Sequence, residues 1–566
     1  MRVVLLAAVL AAAACATRPA RTGDSTSLSA LYDAYLDNRA KLDPNWASDV
    51  GIHTWDRLLT RFDDTTRAGL RSLVEENLKR LRGLDLERVT SDERLDSTLW
   101  RAQLETELYD VDRRDERRIM PDLPLGAIDT IYVMLLKDYA PLAERARNAL
   151  ERLRQIPIVV EDIRTRLESP PRVWTEMAIE DGEGAASGID EIVGLAKPGL
   201  DPARAGELDA AAGAAREALK NYVAFLKSDV LPRSTGSFAT GKLVYDFYLK
   251  RYHLLDLDSD ALIALGRREW DRTLAMLVET ARAIDPARPW PEILEAMKHD
   301  HPAASELVET YRRETEKARA FVAGKNIVTL PKDERLEVME TPPFARSSIP
   351  YAAYQPPAPL DSARIGHFYV TPVDPGAKPE EAEAQLAGHN VYDIPGTVWH
   401  EAYPGHHTQF VLAKEVKSKV RRLNPSPLLS EGWGFYCEEL AHETGYFTDP
   451  RMRLMQLNWR LQRAARVILD ASLHAGRMTF EEAVDFLMKG VRMERTHAER
   501  SVRGYARRPA YFMAYMVGML ELVRIREAAR ARLGARFSLC EFHDRVLRYG
   551  NVPPALIERE LARDWK

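Results

Sequence analysis

Apolar residues return every three to four positions through most of the chain, the spacing that lays one buried stripe along a helix. Leu28, Leu31, Tyr32, Tyr35 and Leu36 show it near the start. Thr90 followed by Glu93 reads as a capping box that opens a helix through Leu95, Leu99 and Trp100. The same spacing predicts helices over 70–81, 139–156, 208–226, 259–284 and 304–322, separated by breaks such as Lys197-Pro198-Gly199 and Asp285-Pro286. No repeat of fixed period is present, so the helices belong to one irregular assembly rather than to a solenoid.

Between 327 and 395 the pattern changes to short alternating runs separated by proline. Arg335 to Met339, Tyr351 to Pro357 and Gly366 to Val370 read as strands of a small sheet with long loops. Asp393-Ile394-Pro395 then starts a helix, with Asp393 as cap and proline in the first turn. The expected architecture is mainly α, with a small β-sheet beside a cleft. Its expected parts are 1–15, a targeting segment; 16–326, an N-terminal helical region; 327–395, the β/loop region; and 396–566, a C-terminal helical region carrying the chemistry.

A chain of 566 residues, 45% hydrophobic and 29% charged, has enough apolar material for a large core and argues against disorder. Eighty Lys and Arg against 85 Asp and Glu leave a net charge of −5, which gives no electrostatic footprint for nucleic acid. The run Arg113 to Arg118 is interleaved with acids and reads as a solvated helix face. Three cysteines exclude a disulfide framework. The first lies at the end of an apolar run from Val3 to Ala14, too short to span a bilayer. Ala12-Ala13-Ala14-Cys15 resembles a bacterial lipoprotein cleavage site, with ordinary cleavage near Ala16 as the alternative. Both readings export the protein, to the periplasm or to a lipid-anchored position at a membrane. Cys437 and Cys540 are expected to be buried thiols.

The chemistry concentrates in His400-Glu401-Ala402-Tyr403-Pro404-Gly405-His406-His407. His-Glu on a helix, with a further His about a turn later, supplies two imidazole ligands for zinc and a general base, Glu401. The position four residues after His400 is Pro404. In an unbroken helix His407 returns to the same face about 10 Å along the axis, too far to share an ion with His400. A kink at Pro404-Gly405 absorbs two residues and brings in His406, the preferred second ligand, with His407 as its alternative or as a supporting residue. Ser430-Glu431-Gly432-Trp433 offers a third ligand: Ser430 is read as a helix cap, with Glu431 in the first turn. Glu438, seven residues on, shares that face and suits an acceptor for a ligand imidazole, with His442 beyond it. Arg466, Asp470 and His474 form a stripe in which Asp470 fixes the tautomer of His474, and His474 approaches the metal or the reacting oxygen.

These three segments resemble the bacterial family of domain of unknown function 885 over most of the mature chain. More distantly, the chain is similar to helical zinc peptidases of the thimet oligopeptidase, angiotensin-converting enzyme and carboxypeptidase Taq type. In those a Glu from a later helix completes the site, and the carboxypeptidase Taq pattern carries a Glu pair seven apart, like Glu431 and Glu438. Their His-Glu-x-x-His is uninterrupted, whereas here Pro404-Gly405 intervenes. The resemblance implies a zinc-peptidase-like fold with tyrosine or histidine donors opposite the metal. Tyr515 is the first candidate for that donor and Tyr505 the second, with Arg503 and Tyr511 for substrate binding. The expected protein is an exported zinc metallopeptidase of oligopeptidase or carboxypeptidase type. The alternatives are a metal-dependent hydrolase of a non-peptide ester or amide, and a lipoprotein that binds peptides without cleaving them.

Overall fold

The helical periodicity is realised almost throughout. A computed structural model describes residues 27–85, 89–346 and 349–566, so the targeting segment and Cys15 lie outside the described residues. The fold is mainly helical with one small sheet. Helix Ser91–Arg113 starts at the Thr90–Glu93 capping box, with both reciprocal hydrogen bonds formed. The helix expected over 139–156 is two helices, Leu142–Leu153 and Ile156–Arg164, because Pro141 delays the start and Pro157 begins a new first turn. Helix Ser259–Ile284, here α1, has the expected bounds: Asp258 caps its first turn and Asp285 ends it. Helix α2, Leu307–Gly324, begins three residues late, after a 3-10 turn.

Three strands follow: β1 (Arg335–Glu340), β2 (Ala352–Gln355) and β3 (Ile365–Val370). The last is central, parallel to β1 and antiparallel to β2. Being covered on both faces, β3 buries every residue after its first. Beyond the sheet lie α3 (Ile394–Glu401), α4 (His406–Ala413), α5 (Pro427–Glu443), α6 (Pro450–His474), α7 (Arg495–Arg507) and α8 (Ala514–Leu533).

The main apolar core runs from Leu28 through Trp100 and Tyr311 to Trp399, Trp433 and Ile557. A second cluster, from Ala127 to Val230 with Leu59, packs within itself. Two glycine contacts set the frame of the site. A Cβ on Gly266 would stand 2.8 Å from Ile468, so α1 and α6 approach through a side-chain gap. Gly432 and Gly518 bring α5 and α8 backbone to backbone, with an added Cβ only 2.6 Å or less from the opposing chain. Both remaining cysteines are buried free thiols, as expected. Among the described residues no helix is long and apolar enough to cross a membrane.

Candidate metal centre

The Pro404-Gly405 insertion stops the helix outright instead of kinking it. Helix α3 ends at Glu401 and α4 starts afresh at His406. A Cβ on residue 405 would fall 1.9 Å from the His400 carbonyl oxygen, so only glycine passes this corner. The Trp433 indole donates to the Pro404 carbonyl at 2.9 Å and pins the break to α5.

The break turns the His406 ring back on His400: the two imidazoles lie 4.7 Å apart, nearly perpendicular. Glu431 Oε2 is 3.7 Å from His400 Nε2 and 3.5 Å from His406 Nε2. Ligand atoms of His400, His406 and Glu431 all fall within 4.8 Å of one another, and all three residues are buried. A tetrahedral ion with bonds of 2.0–2.1 Å holds its ligand atoms about 3.4 Å apart, so this nitrogen–nitrogen–oxygen set fits zinc with an open fourth position. Burial and the wish for charge compete here. Burial works against ionising Glu431, but the hydrogen bonds and charges of His400 and His406 outweigh it and hold the carboxyl well below the usual carboxylate range. Burial likewise disfavours a charged His400, but Glu431 and Glu438 together raise its pKa to about 10.

Glu438 takes the expected place: its Oε1 is 2.9 Å from His400 Nδ1, which leaves Nε2 directed at the other ligands. His442, four residues beyond it, is exposed while Glu438 is buried. Ser430 is not the helix cap. Helix α5 starts three residues earlier at Pro427, so Ser430 lies inside it and bonds back to the Ser426 carbonyl at 3.3 Å. His407 stands apart from the ligand set, with its Nε2 2.7 Å from Glu334 and its Nδ1 3.0 Å from the Tyr354 hydroxyl. It thereby ties α4 to the sheet.

A cavity of about 200 Å3 opens over this centre, lined by His400, Glu401, Glu438, Arg463, Arg466 and Tyr515 among others. Tyr515 stacks on the His400 ring at 6.0 Å. Burial and the Glu431 charge raise the pKa values of Tyr515 and Tyr511, so both hydroxyls keep their protons. Tyr511 donates to Glu431 Oε1 and so supports a ligand, where substrate contact was expected.

The downstream stripe behaves differently from its prediction. Asp470 accepts from the Ala510 and Met513 amides, each at 3.0 Å, and anchors the loop before α8. His474 bonds the Tyr505 carbonyl at 2.9 Å and stacks on Tyr245. Neither lines the cavity, and Asp470 does not orient His474, because both find partners on segments that pack across α6. The Tyr505 ring is buried against Phe512, and Arg503 pairs with Glu180 at 2.8 Å at the surface. Sequence reasoning missed Glu334, Tyr354, Arg463 and Gly434. Gly434 carried a readable signal: it lies three residues after Glu431, on the ligand face of α5, where a side chain would meet the imidazole.

A model of a bacterial protein family of unknown function, DUF885, matches residues 44–561. The chain belongs to this family. A solved structure from Shewanella oneidensis, of a candidate lipoprotein of unknown function, shares 27% identity at a TM-score of 0.79, covering 95% of this chain and all of that one. A second candidate lipoprotein, from Colwellia psychrerythraea, shares the fold at a TM-score of 0.79 and 21% identity, over 94% of this chain and 98% of its own. No curated protein matches the chain.

Proposed function

We propose that this DUF885 protein is an exported zinc-dependent hydrolase of peptides, built on a zinc-peptidase-like helical frame. One observation carries the reading: two imidazoles and a carboxylate from separate helices converge at ligand spacing, and one of them, His400, lines a cavity together with Glu401 and Tyr515. Zinc, when bound, supplies a Lewis acid that polarises a carbonyl and acidifies water. His400, His406 and Glu431 are the residues to hold it. Glu401, at the last turn of α3 beside His400, accepts the proton released as water adds to the carbonyl and returns it to the leaving amine. The Tyr515 hydroxyl, kept protonated by its surroundings, donates to the developing oxyanion. Export is supported by the apolar segment ending at Cys15 and by the solved relative from Shewanella oneidensis.

The test combines metal analysis with turnover. Wild-type protein should hold one zinc and cleave members of a peptide library followed by mass spectrometry. Glu401→Gln should hold the zinc and lose turnover by roughly a hundredfold or more. His406→Ala and Glu431→Ala should lose the zinc. Wild-type turnover in Glu401→Gln would remove the general base from the mechanism, and full zinc in Glu431→Ala would remove the ligand.

A further inference from the structure

The arginines of α6 divide into two groups. Arg451, Arg453 and Arg460 are neutralised: Arg451 lies 2.6 Å from Asp449, Arg453 lies 2.9 Å from Glu439, and Arg460 lies 3.1 Å from Glu439 and 3.2 Å from Glu269. Arg463 and Arg466, one turn apart, line the cavity over the candidate metal centre. Arg463 has one carboxylate neighbour, Glu438 at 3.6 Å, and that group is already bonded to His400. Among the described residues Arg466 forms no ion pair. Instead, both guanidinium groups lie against rings. Arg463 is 4.6 Å from Trp459 and 5.5 Å from Phe435, and Arg466 is 4.9 Å from Tyr515. Arg463 Nε and Nη1 and Arg466 Nε have no hydrogen-bond partner.

Two cations held in an enclosed site with so little counter-charge are costly unless an anion arrives from outside, and ring-stacked guanidiniums keep their planar donor edges for a carboxylate. Arg466 also lines a second, larger cavity of about 670 Å3 that adjoins the first. Trp290, Leu294, Met455, Trp459, Val491 and Met493 give that cavity an apolar wall.

Building on the peptidase reading, we infer that Arg463 and Arg466 bind the free C-terminal carboxylate of the substrate, while the neighbouring cavity takes a large apolar or aromatic side chain. The enzyme then acts as a carboxypeptidase or dipeptidase on short peptides, because the anchored carboxylate lies in the same small cavity as Glu401 and His400. In this role Arg466 replaces Arg503, which is spent on Glu180.

Calorimetric titration of chelator-treated protein tests this without metal or turnover, so its outcome is separate from that of the zinc reading. Three probes suffice: N-acetylphenylalanine, its amide, and N-acetylglutamic acid α-amide. The free acid should bind at least about tenfold more tightly than its amide, the scale of a charge-assisted hydrogen bond. Arg466→Gln should erase that ratio while keeping the wild-type circular dichroism spectrum. Equal binding of acid and amide by wild type, or no binding of either at millimolar concentration, overturns the inference. So does an acid preference that survives in both Arg466→Gln and Arg463→Gln. Tight, Arg466-dependent binding of the side-chain acid would assign the pair to an acidic side chain and likewise overturn the C-terminal reading.

Discussion

Gly434→Ala is a one-methyl test of the metal centre. A Cβ at this position would lie 2.7 Å from both Cε1 and Nε2 of the His400 ring and 3.0 Å from Cδ2. Ordinary carbon contacts begin near 3.5 Å, so the ring must retreat by about 0.8 Å. It has no free direction in which to do so: Glu438 holds Nδ1 at 2.9 Å, and Tyr515 stacks on the ring. Metal–ligand distances tolerate about 0.2 Å, so the displaced Nε2 leaves bonding range of an ion still held by His406 and Glu431. Zinc affinity should therefore fall by at least the 10–100-fold typical of a disturbed ligand support, about 1.4–2.7 kcal/mol. Fold stability responds less. Overpacking costs about 1–3 kcal/mol, and replacing a mid-helix glycine returns up to about 1 kcal/mol. Gly213→Ala is the control, because its Cβ meets nothing within 4 Å. It should gain up to about 1 kcal/mol and leave zinc untouched. Competition against a chromophoric chelator gives the affinities, and thermal unfolding of the metal-free proteins gives the stabilities. Gly434→Ala with wild-type zinc affinity would refute the argument, since the ring it displaces would then not be a ligand.

Further expectations follow from the same geometry. His407→Ala should keep its zinc but lose about 2–4 kcal/mol of stability in denaturant melts, because Glu334 is buried beneath it and keeps only Arg319 and Tyr403; loss of zinc would make His407 a ligand after all. Glu438→Gln should lower zinc affinity roughly 10–100-fold in the same chelator competition, with Glu438→Ala lower still; an unchanged affinity would reduce the His400 contact to packing. Far from the site, His53 lies between Asp56 at 2.9 Å and Asp361 at 2.8 Å. Burial opposes its charge, but the two carboxylates raise its pKa to about 9. Because the folded value is the higher one, the stabilisation is complete below pH about 6.5 and disappears as pH rises through about 9, a span of up to about 3 kcal/mol. Melts of His53→Gln across that range should lack this slope, and a slope equal to wild type would exclude His53 as its source.

What the sequence disclosed about the fold depended on how local the cause was. The bounds of α1 were readable because an Asp cap and an Asp-Pro stop flank one uninterrupted stripe. Pro141 and Pro157 were equally local signals for the split of 139–156, but the apolar spacing continues across the gap and masks them. The strands were readable individually from alternation. Their order was not, because parallel pairing of β1 with β3 places β2 on the far side, and no residue of either strand specifies that choice.

The site follows the same division, and it explains why the ligands were legible while their surroundings were not. His400, Glu401, His406 and Glu431 sit in two short segments whose residue types have few other uses together. Their supports arrive from a distance: Glu334 from the residue just before β1, Tyr511 from the approach to α8, and Arg463 from α6. The Asp470–His474 stripe shows the opposite error. Four-residue spacing places two side chains on one face of a helix, but it does not make them partners. Here the backbone of 505–513 crosses that face and takes both, with two amides to the carboxylate and one carbonyl to the imidazole. A backbone segment needs its polar groups satisfied as much as a side chain does, and nothing in its sequence announces where it will lie. The interrupted motif was readable for a related reason. Proline and glycine between the histidines interrupt a helix locally, so the position of the break was marked in the sequence. The Trp433 bond to the Pro404 carbonyl then holds the corner, whose position the sequence marked but which it read as a kink rather than a stop.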